Sequence, residues 1–246
     1  MVETWLKDWI KTRELLYDNY YVHRIDRQYN KGGGLCFLVK KGFNSCLENV
    51  LITPSLEILH ISLENNFQKP IQCVLIYHPP SSSVADFIQN LSEFLNNVNY
   101  STLPFLLFGD FNHDLIKINH SRDPLLQCLN SYALFPAFCF PTHFCNSSES
   151  CIDWLVYNDL GKKYVCNIEA LNVGFSNHSL VCFSYKNLAT VNPLSVFKKF
   201  TSLVLFPVIP IVLVLLKIYH ILFLLIFSTL LTLFLFYTRI VFLLVK

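Results

Sequence analysis

Apolar residues in this chain gather into short runs of strand length as far as Tyr185. Leu35–Val39, Ile71–Tyr77, Phe105–Phe108 (led in by Leu103) and Cys151–Tyr157 are nearly continuous apolar stretches bounded by Gly, Pro or polar clusters. Runs of this length read as buried strands rather than helices. Leu56–Leu63 alternates as a strand does, and a polar turn over 64–70 separates it from Ile71–Tyr77. Helical spacing occurs twice. Val84, Phe87, Ile88, Leu91, Phe94 and Leu95 share one face over 83–98, and Leu125, Leu126 and Leu129 share one over 123–132. Strand 71–77, helix 83–98 and strand 105–108 therefore predict a βαβ unit. Gly32–Gly34 precede an apolar run with neither Gly-Lys-Ser/Thr nor a helix behind them, which fits a turn into a strand and not a phosphate loop.

Polar residues at the ends of these runs are the candidate chemistry. The run at 105–108 is predicted to stop at Gly109, and the alternation Asp110-Phe111-Asn112 puts a carboxylate and an amide on one side of the sheet lip. Ligands gather there in layered α/β folds. The same residues also fit a strand closing in an Asx turn. Tyr77 ends its run just before His78-Pro79-Pro80 and could donate a hydrogen bond to a phosphoryl oxygen; a half-buried strand tyrosine is an equal reading. Asp153 lies inside an apolar strand, where a charge is costly unless paired. Arg24 and Arg27 are read as solvated arginines, with phosphate contact as the alternative.

Composition narrows the classes. A net charge of +2 over 246 residues gives no global basic field. The nine cysteines lack CxxC or zinc-finger spacing and sit among apolar neighbours, as reduced buried thiols do. Met1–Arg13 has no apolar core of a signal peptide. From Thr201 the chain becomes almost wholly apolar. Residues 218–238, between Lys217 and Arg239, are long enough for one membrane helix. Residues 201–216, with Pro207 and Pro210, read as a kinked partner span or an interfacial piece. The expected organisation is a domain over 1–188, a linker over 189–200 and a hydrophobic tail over 201–246. Lys198 and Lys199 ahead of the tail favour a cytosolic domain. The alternative is a tail left by a broken reading frame and no anchor, which would allow a nuclear location.

Taken in order, Glu3-Thr-Trp-Leu6, Asp26-Arg27 with Gly32-Gly-Gly34, Tyr77-His-Pro-Pro80, Gly109-Asp-Phe-Asn112, Pro141-Thr-His143, Ile152-Asp153 and Ser176-Asn-His178 resemble the endonuclease/exonuclease/phosphatase superfamily. Within it they look like the endonucleases of non-LTR retrotransposons, the long interspersed element class. The resemblance implies an α/β fold, a four-layer sandwich of two packed mixed sheets flanked by helices. It implies a metal-dependent phosphodiesterase that nicks DNA with Mg²⁺ or Mn²⁺ and needs no small-molecule cofactor. Glu3 would be the metal ligand, and position 177 would assist it. His178 would act on the scissile phosphate with Asp153 as its orienter. Asp110 would activate or orient water, Asn112 would hold a phosphoryl oxygen, and Tyr77 would sit near the phosphate. Three departures matter. The family's strand ahead of the glutamate motif has no counterpart here, so the resemblance implies an N-terminally truncated domain. His143 stands where the family has Arg. Asn177 stands where it has Asp, and the lost carboxylate implies weak or absent activity. Two other readings use the same residues: a membrane-anchored, sphingomyelinase-like lipid phosphodiesterase, and a non-enzymatic membrane-associated remnant. Nothing in the sequence addresses oligomeric state.

Overall fold

The structure is a computed structural model and describes residues 1–12, 19–26, 32–64, 69–145 and 148–185. The apolar tail, including the membrane helix expected at 218–238, and Arg27 lie outside the described residues. Among the described residues no helix is long and apolar enough to cross a membrane.

A six-stranded mixed sheet forms the centre. Its strands are β3 (Asn44–Ile52), β4 (Glu57–Glu64), β5 (Ile71–Tyr77), β6 (Phe105–Asp110), β7 (Phe135–Pro136) and β10 (Asp153–Tyr157), in the order β3-β4-β5-β6-β10-β7. β5 and β6 pair in parallel, and the crossover between them carries α1 (Val84–Asn97), completing the βαβ unit. Ser83 caps α1, its side chain accepting from the Asp86 N–H, and Phe87, Leu91, Phe94 and Leu95 are buried at helical spacing. Asp123 caps α2 (Pro124–Ser131) in the same way, with Pro124 in the first turn.

Both faces of the sheet are covered, which explains why its strands are apolar at successive positions. Ile58, Val74, Ile76, Phe105, Leu107 and Val156 pack under α1 and α2. Leu59, Ile61, Leu75, Leu106, Phe108 and Leu155 face the other way, towards two antiparallel hairpins. These are β1 (Tyr20–Ile25) with β2 (Leu35–Lys40), and β11 (Val165–Leu171) with β12 (Leu180–Tyr185). Phe108 joins them, its ring edge-on to Phe37 of β2 at 5.7 Å and to Phe183 of β12 at 6.3 Å. A small hairpin, β8 (His143–Cys145) with β9 (Ser148–Ser150), precedes β10, and a short helix, α3 (Asp159–Lys162), follows it. All nine cysteines are unpaired.

Two local expectations change. β6 does not stop at Gly109; it runs through it to Asp110. Gly109 has φ 144°, and a Cβ there would lie 2.0 Å from the Ile76 carbonyl oxygen, so the glycine permits a close strand approach and does not end the strand. Nor does the alternation continue to Asn112, which has φ 44°. Phe111 turns into the helix-side core instead, stacked on Trp154 at 4.5 Å.

Candidate active site

The register of the central sheet builds the first half of the site. Glu57 of β4 faces Tyr77 of β5, Tyr77 faces Asp110 of β6, and Asp110 faces Asp153 of β10. This polar row crosses four strands at the carboxyl ends of β5 and β6, the edge where α/β sheets receive ligands. Opposed carboxylates on adjacent strands repel. Asp110 is buried, and that burial, with repulsion from Asp153, holds its carboxyl well above the usual range against the pull of His178. Such a pair persists when a cation or a proton lies between its members.

The second half arrives on segments outside that sheet. His178, just before β12, donates from Nδ1 to Asp153 Oδ2 at 2.9 Å. Burial alone would lower its pKa; the bond to Asp153 and the charges of Asp153, Asp110 and Glu3 outweigh that and lift it to about 9. Donor atoms of Asp110, Asp153 and His178 all lie within 4.8 Å of one another. His143 lies beside this group, its ring 4.6 Å from that of His178 and its Nδ1 3.2 Å from Ser150 Oγ. Burial and the neighbouring His178 push the His143 pKa down, so this ring stays neutral.

Glu3 is brought in by the chain's first residues. Met1 and Cys36 exchange backbone bonds, Thr4 N–H donates to Gly34 O at 3.1 Å, and Trp5 N–H donates to Gly33 O at 2.9 Å. Glu3 and Trp5 both take positive φ, 52° and 54°, an unfavourable conformation for such side chains that this pairing holds in place. A Cβ on Gly32 would stand 3.2 Å from Glu3 Oε1, so glycine leaves room for the carboxylate. The Tyr77 hydroxyl donates to Glu3 Oε1.

Asn112 is tied to Asp110 and His78. Its Nδ2 donates to His78 O at 2.8 Å and to Asp110 Oδ2 at 3.2 Å, while its N–H donates to Asp110 Oδ1 at 2.9 Å. Both amide protons are thereby taken up, and the residue acts as a clamp on Asp110. Asn177 is exposed; its backbone carbonyl accepts from Phe144 N–H at 2.8 Å, and among the described residues its side chain has no hydrogen bond. Arg24 is mostly buried and not solvated, paired with Asp26 at 2.8 Å.

Thr142 is the residue that the hydrophobic pattern could not single out. Fully buried, it accepts through Oγ1 from Ile152 N–H at 3.2 Å and Asp153 N–H at 3.0 Å, and through its carbonyl from Ser179 N–H at 2.7 Å. One side chain and one carbonyl thus tie the orienting aspartate to the residue after His178. The Pro141-Thr142-His143 run was the only signal of it in the sequence.

This sheet, covered by helices on one face and hairpins on the other, has the fold of a solved retrotransposon endonuclease domain. Among solved structures, the endonuclease domain of TRAS1, a telomere-specific non-LTR retrotransposon, superposes with a TM-score of 0.57 at 12% identity, over 68% of this chain and 81% of that one. The Xenopus laevis APE2 catalytic domain gives 0.49 at 13% identity over 69% and 78%. An endonuclease/exonuclease/phosphatase family protein from Leptotrichia buccalis gives 0.48 at 16% over 71% and 75%. No protein-family model and no curated protein matches the sequence.

Two carboxylates and an imidazole so close together, with one carboxyl held up by burial and by the other's charge, are a donor set that a divalent cation fits.

Proposed function

We propose that the chain is a metal-dependent phosphodiesterase acting on DNA, of the retrotransposon endonuclease type, and that it works slowly. The observation that carries this reading is the row Tyr77–Asp110–Asp153 completed by His178. The four-layer sandwich belongs to the same proposal. Glu3 would hold Mg²⁺ or Mn²⁺, hard cations that prefer carboxylate oxygen. Such an ion supplies charge neutralisation at the phosphoryl oxygens.

The remaining roles belong to the chain. Asp153 engages Nδ1 of His178, fixing the ring and leaving Nε2 to donate its proton to a phosphoryl oxygen as negative charge develops. A pKa of about 9 keeps that proton in place at neutral pH. Asp110, whose pKa burial and the Asp153 charge raise above the usual carboxylate range, is suited to take a proton from the attacking water. Asn112 holds Asp110 in position, and Tyr77 holds Glu3. Asn177 gives the site one negative charge fewer than a carboxylate would, which is the reason for the slow rate.

Supercoiled plasmid incubated with the full chain tests this reading. Nicked circles should accumulate with Mg²⁺ or Mn²⁺ and not with EDTA, and a DNA polymerase should extend the nick directly from a 3′ hydroxyl. Ends that resist extension would argue against this type of hydrolysis.

A further inference from the structure

Residues 5–11, which follow directly on Glu3, present a surface that the catalytic reading leaves unused. Leu6 and Ile10 are buried, while Trp5, Lys7, Asp8, Trp9 and Lys11 are exposed, Trp5 at 40% and Trp9 at 65%, with the Asp8 carboxylate accepting from the Trp9 N–H at 2.9 Å. Two indoles interleaved with lysines have the chemistry of surfaces that stack nucleic-acid bases and neutralise their phosphates.

The strip is built into the fold. Trp5 is held by its backbone bond to Gly33, and its ring lies 3.4 Å from where a Cβ of Gly32 would stand, so the indole rests against the glycine turn. The turn from Lys7 to Ile10 is closed by Ile10 N–H donating to Lys7 O at 2.9 Å. Arg24 Nη2 donates to the same carbonyl at 3.2 Å, and Asp26 fixes that guanidinium. The strip is also continuous with the site. Glu3, two residues before Trp5, accepts from the hydroxyl of Tyr77, which stands in the row with Asp110 and Asp153.

We propose that this strip binds an unpaired DNA strand beside the scissile phosphate, bases stacking on Trp5 and Trp9 and phosphates meeting Lys7 and Lys11. A duplex hides its base faces from flat rings, and a net charge of +2 offers little of the broad basic field that gripping a duplex backbone requires. The choice of DNA rests on the function proposed above.

The test is binding without cleavage: the full chain in EDTA, titrated with labelled oligothymidylate, a duplex of equal length, oligouridylate, and phosphatidylcholine–phosphatidylserine vesicles. Oligothymidylate should bind more tightly than the duplex. Trp5→Ala and Trp9→Ala should each weaken it on the order of tenfold, with Trp9→Phe retaining most of the affinity. Lys7→Gln and Lys11→Gln should each reduce the salt slope by roughly one. Binding unchanged in both alanine variants overturns the proposal, as does preference for the duplex or the RNA, or uptake by vesicles in place of the oligonucleotide. Failure of the catalytic reading looks different: His178→Ala should keep this binding, and a chain that binds the strand yet never nicks DNA would sink the hydrolase and leave the strip standing.

Discussion

Tyr77, Asp110 and Asp153 stand in one cross-strand row, whereas Glu3 and His178 reach the site on segments outside the central sheet. The first group is fixed by ladder hydrogen bonds and by a core on each face of the sheet. The second is held by short sets of bonds outside any long ladder: Met1 with Cys36, Thr4 and Trp5 to the glycine turn, Phe144 to Asn177, and Ser179 to Thr142. The sheet half therefore couples the site to folding. The outer half can be altered with less cost to the fold, and it is where this chain departs from the family it resembles.

The strongest way to break that division is through Phe108, the fully buried ring that touches both hairpins. Phe108→Ala should cost about 3–5 kcal/mol in urea unfolding, loosening both halves together. Thr142→Val keeps the shape but removes the acceptor for two backbone N–H groups. A loss of about 1–3 kcal/mol is expected, with a larger fall in nicking than any surface change of equal stability cost gives, because Asp153 and His178 lose their common tie.

Titration sharpens the contrast. His78 in the interior is held down, first by burial, although its Nδ1 bonds the Phe111 carbonyl. The unfolded chain takes up a proton near pH 6.5 that the folded chain refuses, so stability should fall as pH drops through 6.5. His178 acts in the opposite sense. Its contribution is fully present below pH 6.5 and is lost as pH rises through about 9. Melting temperatures across this range should decline on both sides, and His178→Ala should lessen the alkaline decline, leaving the part due to the buried thiols of Cys73 and Cys151, and leave the acid side unchanged. The smallest effect belongs to exposed Asn177: Asn177→Asp should change stability by no more than about 0.5 kcal/mol while increasing the nicking rate. A slower variant would contradict the account of the slow rate.

Much of this division was legible before the fold was known, and the reason is burial. β2, β4, β5, β6 and β10 are inner or core-facing strands whose apolar runs announce them, and α1 and α2 declare themselves by spacing. β3, largely exposed at the sheet edge and bulged between Leu47 and Asn49, carries no such pattern, and neither does β11. In the site, sequence identifies Asp110 as a charge at a strand end and Asp153 as one inside an apolar run, but not that they are register partners, because pairing is a long-range property. Asn112 does lie beside the Asp110 carboxylate, as alternation suggested, but a left-handed turn and not a continued strand brings it there. Thr142 is invisible because its importance lies in three backbone partners from two distant segments.

The central claim is that the Asp110–Asp153–His178 cluster makes this chain a divalent-dependent DNA phosphodiesterase. Its most direct test is the nicking rate of the full chain with Mg²⁺, measured beside His178→Ala and Asp110→Asn proteins whose unfolding curves show them to be folded. The account expects slow nicking by the parent and losses of roughly 10²–10⁴-fold in His178→Ala, with Asp110→Asn similarly impaired. Nicking that survives unchanged in both variants, or that persists in EDTA, would contradict it.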